Sequence, residues 1–133
     1  ILHAFDHVYN TLGFGFLEKV YENAMVLSLR RYGFVVWQQK PVKVYFEENL
    51  VGEYVADLMV AQRVVVELQA VENLSPNHEA QLMHYLKATE LEVGLLLNSG
   101  ETPEFRRRIL TNDRKRLCPG SNLPAGRGKE PRI

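Results

Sequence analysis

The sequence predicts an α/β fold: a helix, a three-strand antiparallel meander, a second helix and a parallel fourth strand. Three observations carry this reading. Apolar residues recur at helical spacing through the first 32 residues, the period switches to two after Gly33, and Ser75-Pro76 opens a helix between two apolar strands. Leu2, Phe5, Val8 and Tyr9 line one face of a helix over residues 2–12, and Gly13 and Gly15 interrupt it. From Phe16 to about Tyr32 a further helical pattern carries Leu17, Val20, Tyr21, Ala24, Leu27 and Leu29, and Gly33 ends it as a left-handed cap. Val35–Phe46 reads as a strand bent near Pro41, Glu47-Glu48-Asn49 as a turn, and Leu50–Val60 as the second strand. Ala61-Gln62-Arg63 is a second turn, and the β-branched start of Val64–Ala70 places that strand at the sheet centre. Ser75 is the N-cap and Pro76 the first residue of a helix reaching Ala88. Glu92–Asn98 is the fourth strand, parallel to a strand of the meander because a right-handed crossover precedes it. Pro103–Leu110 is read as a short added helix.

A chain of 133 residues is enough for one domain. With 46% hydrophobic and 24% charged residues it is composed like an ordinary globular protein, which excludes a wholly disordered, collagen-like or coiled-coil chain. Apolar runs such as Val64–Val66 and Val93–Leu97 are too short to span a bilayer, so no membrane is expected. One cysteine, Cys118, excludes an internal disulfide and a cysteine zinc cage; with no signal-peptide pattern at the start, a reducing cytoplasm is the expected setting. The net charge of zero hides an asymmetry. Residues 1–105 hold 7 Lys and Arg against 14 Asp and Glu, whereas residues 106–133 hold 9 against 2. A folded acidic body over residues 1–110 and a basic tail over 111–133 follow, the basic stretch beginning at Arg106. Such a tail binds a polyanion or is merely solvated.

Three acids interrupt the apolar pattern. Glu18 falls between Met25 and Leu29 on the helical wheel, Asp57 sits within Val55–Met59, and Glu67 sits within Val64–Leu68. Taken singly, each is explained by an ion pair or a water-facing strand. Taken together in so acidic a body they lack basic partners, and a divalent cation is the economical answer. Asp57 and Glu67 flank a three-residue turn on neighbouring strands. Glu67 and Gln69 are two apart on one strand and share a face. Gln81 and Tyr85, four apart, share a helix face; alone they read as a solvated amide beside a core tyrosine.

Gly15-Phe16-Leu17-Glu18-Lys19-Val20-Tyr21 resembles the G-x-x-E-x-x-Y motif of the GxxExxY proteins, within the PD-(D/E)xK nuclease-like superfamily. The resemblance continues through Tyr54–Leu58, Val66–Ala70, Glu79-Ala80-Gln81 with Tyr85-Leu86, and Gly94–Asn98, covering about residues 2–110. It implies a restriction-endonuclease-like core, a Mg²⁺ or Mn²⁺ ion, and hydrolysis of nucleic-acid phosphodiester bonds, with DNA expected ahead of RNA and a homodimer open. On that pattern Asp57 and Glu67 are metal ligands, Glu18 is a further ligand, and Gln81 and Tyr85 resemble the Q-x-x-x-Y element of RecB-like nucleases. The pattern's catalytic lysine falls at Gln69. An amide donates a hydrogen bond but carries no charge, and removing one such donor costs on the order of 10²–10³ in rate. Lys87 and Lys40 are the candidates to supply charge from elsewhere. Two readings therefore stand: a metal-dependent nuclease, weakened at Gln69, and an inactive nuclease-fold module that binds nucleic acid or a protein.

The remaining candidates read as ordinary. His3 and His7 are helix residues lacking a third ligand, His78 reaches the edge of the site, His84 lies on another face, and Trp37 is packing. Cys118 has no placed base and is not a catalytic thiol.

Overall fold

The fold is described for residues 1–115 by a computed structural model. Helices α1 (Leu2–Leu12) and α2 (Glu18–Arg31) precede the hairpin β1 (Val36–Phe46) and β2 (Asn49–Val60). Strand β3 (Val64–Gln69), helix α3 (Pro76–Ala88), β4 (Val93–Ser99) and β5 (Pro103–Ile109) follow, and Asn112–Arg114 form a 3₁₀ turn. The strands make one sheet in the order β1-β2-β3-β4-β5. Only β3 and β4 are parallel, joined across α3 as a crossover requires.

Two apolar clusters sandwich this sheet. On one face Phe5 and Val8 of α1 and Met25, Val26 and Leu29 of α2 pack on Val36, Leu58, Val60, Val66, Leu68, Leu95 and Leu97. On the other, Leu82, Tyr85, Leu86 and Ala88 of α3 cover Val42, Ala56, Val65 and Leu96. Strands β3 and β4 are therefore buried on both sides, which is why Val64–Val66 and Val93–Leu97 read as continuous apolar runs.

The local signals act as expected at most ends. Gly33 takes φ 90° and donates to the Arg30 carbonyl at 2.9 Å, closing α2. Ser75 caps α3, and His78 Nδ1 accepts the Ser75 backbone N–H at 2.9 Å, so His78 serves the cap. The Glu47-Glu48 turn places both residues at positive φ, the two-residue geometry that matches strand twist.

Two expectations are corrected. Pro103–Ile109 is a strand, not a helix: Glu104, Arg106 and Arg108 are half-buried while Phe105, Arg107 and Ile109 are exposed, a period of two set by pairing with β4. Arg106 and Arg108 consequently do not begin a solvated arm. Both pair with Glu79 of α3, Arg108 at 2.5 Å. The basic character at Arg106 and Arg108 thus belongs to the body. Lys115 donates to the carbonyls of Thr89 and Leu91 at 2.7 Å each. Most of the expected tail, including Cys118, lies outside the described residues.

The hairpin turns over halfway along. Val36 and Val42 have the same parity on β1 yet join opposite clusters, and so do Leu58 and Ala56 on β2. The reversal sits where Gln39, at φ 54°, stands between the pairs Gln38–Leu58 and Lys40–Ala56, opposite Asp57. A left-handed glutamine inside a strand is strained, and strain of this kind gathers at functional positions.

Candidate functional site

Strands β2 and β3 pair only over Leu58–Val66, Met59–Val65 and Val60–Val64. Beyond that the two strands part, freeing backbone amides that must find other acceptors. Two carboxylates take them reciprocally. Glu67 Oε2 accepts the N–H of Asp57 at 3.0 Å, and Asp57 Oδ2 accepts the N–H of Leu68 at 2.8 Å. Each acid thus spends one oxygen on the other's strand and keeps one for other work. Asp57 Oδ1 accepts only a long bond from Gln39 Nε2, at 3.3 Å. Glu67 Oε1 is buried with no partner, on a residue that is only 4% exposed.

Electrostatics follow from this burial. Loss of water, and then the charge of Asp57, push the Glu67 carboxyl up to about 9. Tyr85 of α3, fully buried, donates its hydroxyl to the Lys40 carbonyl at 3.3 Å. Burial and then the charge of Glu67 raise its phenol to about 12. A cation bound beside a buried, protonated acid with an unpartnered oxygen would release the proton and satisfy the oxygen, so the chemistry of these two residues fits a cation. Two carboxylates offering hard oxygens suit Mg²⁺ or Mn²⁺, which take a few such ligands and complete their shell with water.

The residues expected from sequence are not all gathered here. Asp57, Glu67 and Tyr85 come together, with Gln69 half-buried two residues beyond Glu67 on the last position of β3. Glu18 stands exposed in the first turn of α2, and Gln81 is exposed on α3. Among the described residues no three His, Cys, Asp or Glu side chains stand together as a metal-holding group. The acid that α2 does aim inward is Glu22, one turn beyond Glu18 and 4% exposed. Its Oε2 accepts Gln38 Nε2 at 2.6 Å and Lys19 Nζ at 3.0 Å, and its Oε1 accepts Gln39 Nε2 at 3.1 Å. Gln39 therefore bridges Glu22 to Asp57. Sequence reasoning passed over Glu22, which lies three before Met25 and seven before Leu29 on the same buried stripe; Glu18 is on that stripe too, but as the first residue of α2 it stands at the exposed end of the helix. His78 is committed to its cap, and His84 packs against the Tyr54 ring at 5.3 Å.

The profile of the PD-(D/E)XK nuclease superfamily matches residues 1–109. The chain belongs to that superfamily. PD-(D/E)XK nucleases generally use divalent metals, typically Mg²⁺, and act on nucleic acid. The sandwiched five-strand sheet is the restriction-endonuclease-like fold of the superfamily. The crystal structure of SSO0001 is similar to this chain with a TM-score of 0.56 and 13% identity, over 70% of this chain and 50% of that one. The likeness is one of fold, and the chain spans about half the length of that protein. No curated protein matches the sequence. No helix among the described residues is long and apolar enough to cross a membrane.

Proposed function

We propose that the chain is a metal-dependent nuclease of the GxxExxY kind, hydrolysing phosphodiester bonds at the opening between β2 and β3. The observation that carries this reading is the Asp57–Glu67 pair, in which each carboxylate holds the other's strand and Glu67 Oε1 is left buried and unpartnered. Asp57 and Glu67 would hold Mg²⁺ or Mn²⁺. When bound, the ion supplies charge neutralisation on the phosphate and lowers the pKa of water. The chain's own residues do the rest. Gln39 fixes the Asp57 carboxylate, Tyr85 braces the β1 main chain, and the Gln69 amide donates toward a phosphate oxygen or a water. Water adds to phosphorus as the bond to the leaving oxygen breaks, one proton leaving the water and one joining the leaving oxygen. Glu22 enters as the helix carboxylate in the place expected for Glu18, once its amide partners yield it; Gln81, exposed, would act only from the substrate side.

The test is nicking and degradation of single- and double-stranded DNA and of RNA with Mg²⁺ and Mn²⁺, set against Asp57→Ala. Metal-dependent cleavage lost in Asp57→Ala supports the reading, and equal cleavage in both proteins rejects it. Gln69 motivates the second reading, a nuclease fold that binds without cleaving. Binding with no turnover, unchanged by Gln69→Lys, would favour it.

A further inference from the structure

We propose that Lys40 is the phosphate-contacting cation of this site, held in reserve on the face of Trp37. The proposal rests on the nuclease reading and names the group that receives the substrate's charge. A phosphodiester approaching Asp57 and Glu67 meets Glu22, Gln38, Gln39 and Gln69, which are acidic or neutral. A bound ion offsets part of that field, but the anionic substrate still needs a protein cation. Of the other cations, Lys87 stands exposed on α3 and three are already engaged. Lys19 is engaged by Glu22 at 3.0 Å, and Arg106 and Arg108 by Glu79.

Lys40 is placed for the task. It pairs across the hairpin with Ala56, the residue before Asp57, and directly opposed residues share a face. Ala56 packs with Tyr85 against α3, so Lys40 leaves the sheet on the face that carries Glu67 and Gln69. The turnover at Gln39 brings Trp37, three residues earlier, to that same face, and Lys40 Nζ lies 4.0 Å from the centre of its ring. Tyr85 holds the Lys40 carbonyl, fixing the main chain and leaving the side chain its own torsions. A partly exposed ring (Trp37 is 40% exposed) holds an ammonium more weakly than a charge-assisted bond to phosphate does. In this proposal the ammonium leaves the ring for the phosphate by rotation of the lysine side chain.

Trp37 is the single tryptophan of the chain, so its emission reads this contact directly. The experiment titrates a short single-stranded deoxyoligonucleotide in Ca²⁺ into the full chain, Lys40→Met and Lys40→Arg, each confirmed folded by thermal melt. It then compares their cleavage in Mg²⁺. The expected result is an emission change on binding in the parent that is absent in Lys40→Met. The slope of log K against log salt should fall by about 0.7 in Lys40→Met and be kept in Lys40→Arg. Cleavage should fall on the order of 10²-fold in Lys40→Met. A slope and cleavage rate equal to the parent's in Lys40→Met overturn the proposal and leave the nuclease reading standing. If no protein cleaves, that reading fails, and the emission and salt slope still decide whether Lys40 meets phosphate. An oligonucleotide that leaves Trp37 emission unchanged in the parent overturns the assignment outright.

Discussion

Replacing Glu67 by glutamine should stabilise the metal-free protein, and increasingly so as pH rises. The Glu67 carboxyl is raised from 4.5 to about 9 by burial and by Asp57. The native chain therefore keeps a proton that the unfolded chain gives up, and stability falls as pH climbs from about 4.5 toward 9. Each pH unit inside that window costs up to about 1.4 kcal/mol, so at pH 7 Glu67 destabilises the fold by about 3 kcal/mol relative to a neutral group. Glutamine keeps an oxygen for the Asp57 N–H and has no charge to desolvate. Urea unfolding in EDTA at pH 5, 7 and 8 measures the difference between Glu67→Gln and parent. It should be small at pH 5, near 3 kcal/mol at pH 7 (roughly 10 °C in melting temperature) and larger at pH 8. Adding Mg²⁺ at about a hundred times its Kd should return about 2.7 kcal/mol to the parent and little to the variant, closing most of the gap. A difference that is flat with pH, or one in which the variant grows weaker as pH rises, would refute the argument, because it would mean that the native site already accommodates an ionised Glu67.

The other expectations concern what holds the site open. Asp57→Asn should abolish the Mg²⁺-induced rise in melting temperature, since the proposed ion would lose one of its two strand carboxylates; an unchanged rise places the ion elsewhere. Gly100→Ala should cost more than Gly94→Ala in urea melts. A Cβ at Gly100 would lie 2.4 Å from the Val71 carbonyl oxygen, which is main chain, whereas at Gly94 it meets the movable tip of Leu82 at 2.7 Å. Asn98→Leu should lose about 1–3 kcal/mol, measured the same way, because the Asn98 amide accepts from the Val71 N–H at 3.0 Å and donates to its carbonyl at 2.9 Å. Glu79→Gln should narrow the acid limb of the stability profile. The Arg108 and Arg106 guanidiniums hold the Glu79 carboxyl below its ordinary range, so its contribution is present above about pH 4.5 and lost as pH falls through the lowered value.

The sheet and helices were legible because burial imposes a period, and burial here is simple. Strands β3 and β4 are covered on both faces and read as apolar runs, broken in β3 only by Glu67 before its last two residues, while α3 carries its own start signal at Ser75-Pro76. Strand β5 was misread because only one of its faces is packed, and the residues on that face are arginines and a glutamate rather than apolar groups. A pattern search keyed to hydrophobicity has nothing to hold there, and Arg107 between Arg106 and Arg108 hides the period of two that burial shows.

The site was half legible for a different reason. Asp57 and Glu67 announce themselves as charges inside apolar runs, and one turn between two strands suffices to place them together. What joins them to α2 is a conformation, not a composition. Gln39 takes a left-handed backbone that glycine or asparagine would have advertised, and that single torsion reverses the hairpin's faces. It aims both Gln38 and Gln39 at Glu22, and it sets Trp37 and Lys40 on one side. Without the reversal the side chains of β1 would alternate strictly, and Gln38 and Gln39 would point to opposite faces. The torsion at Gln39 is thus what links the candidate site to its helix: through it Gln39 reaches both Glu22 of α2 and Asp57 of β2.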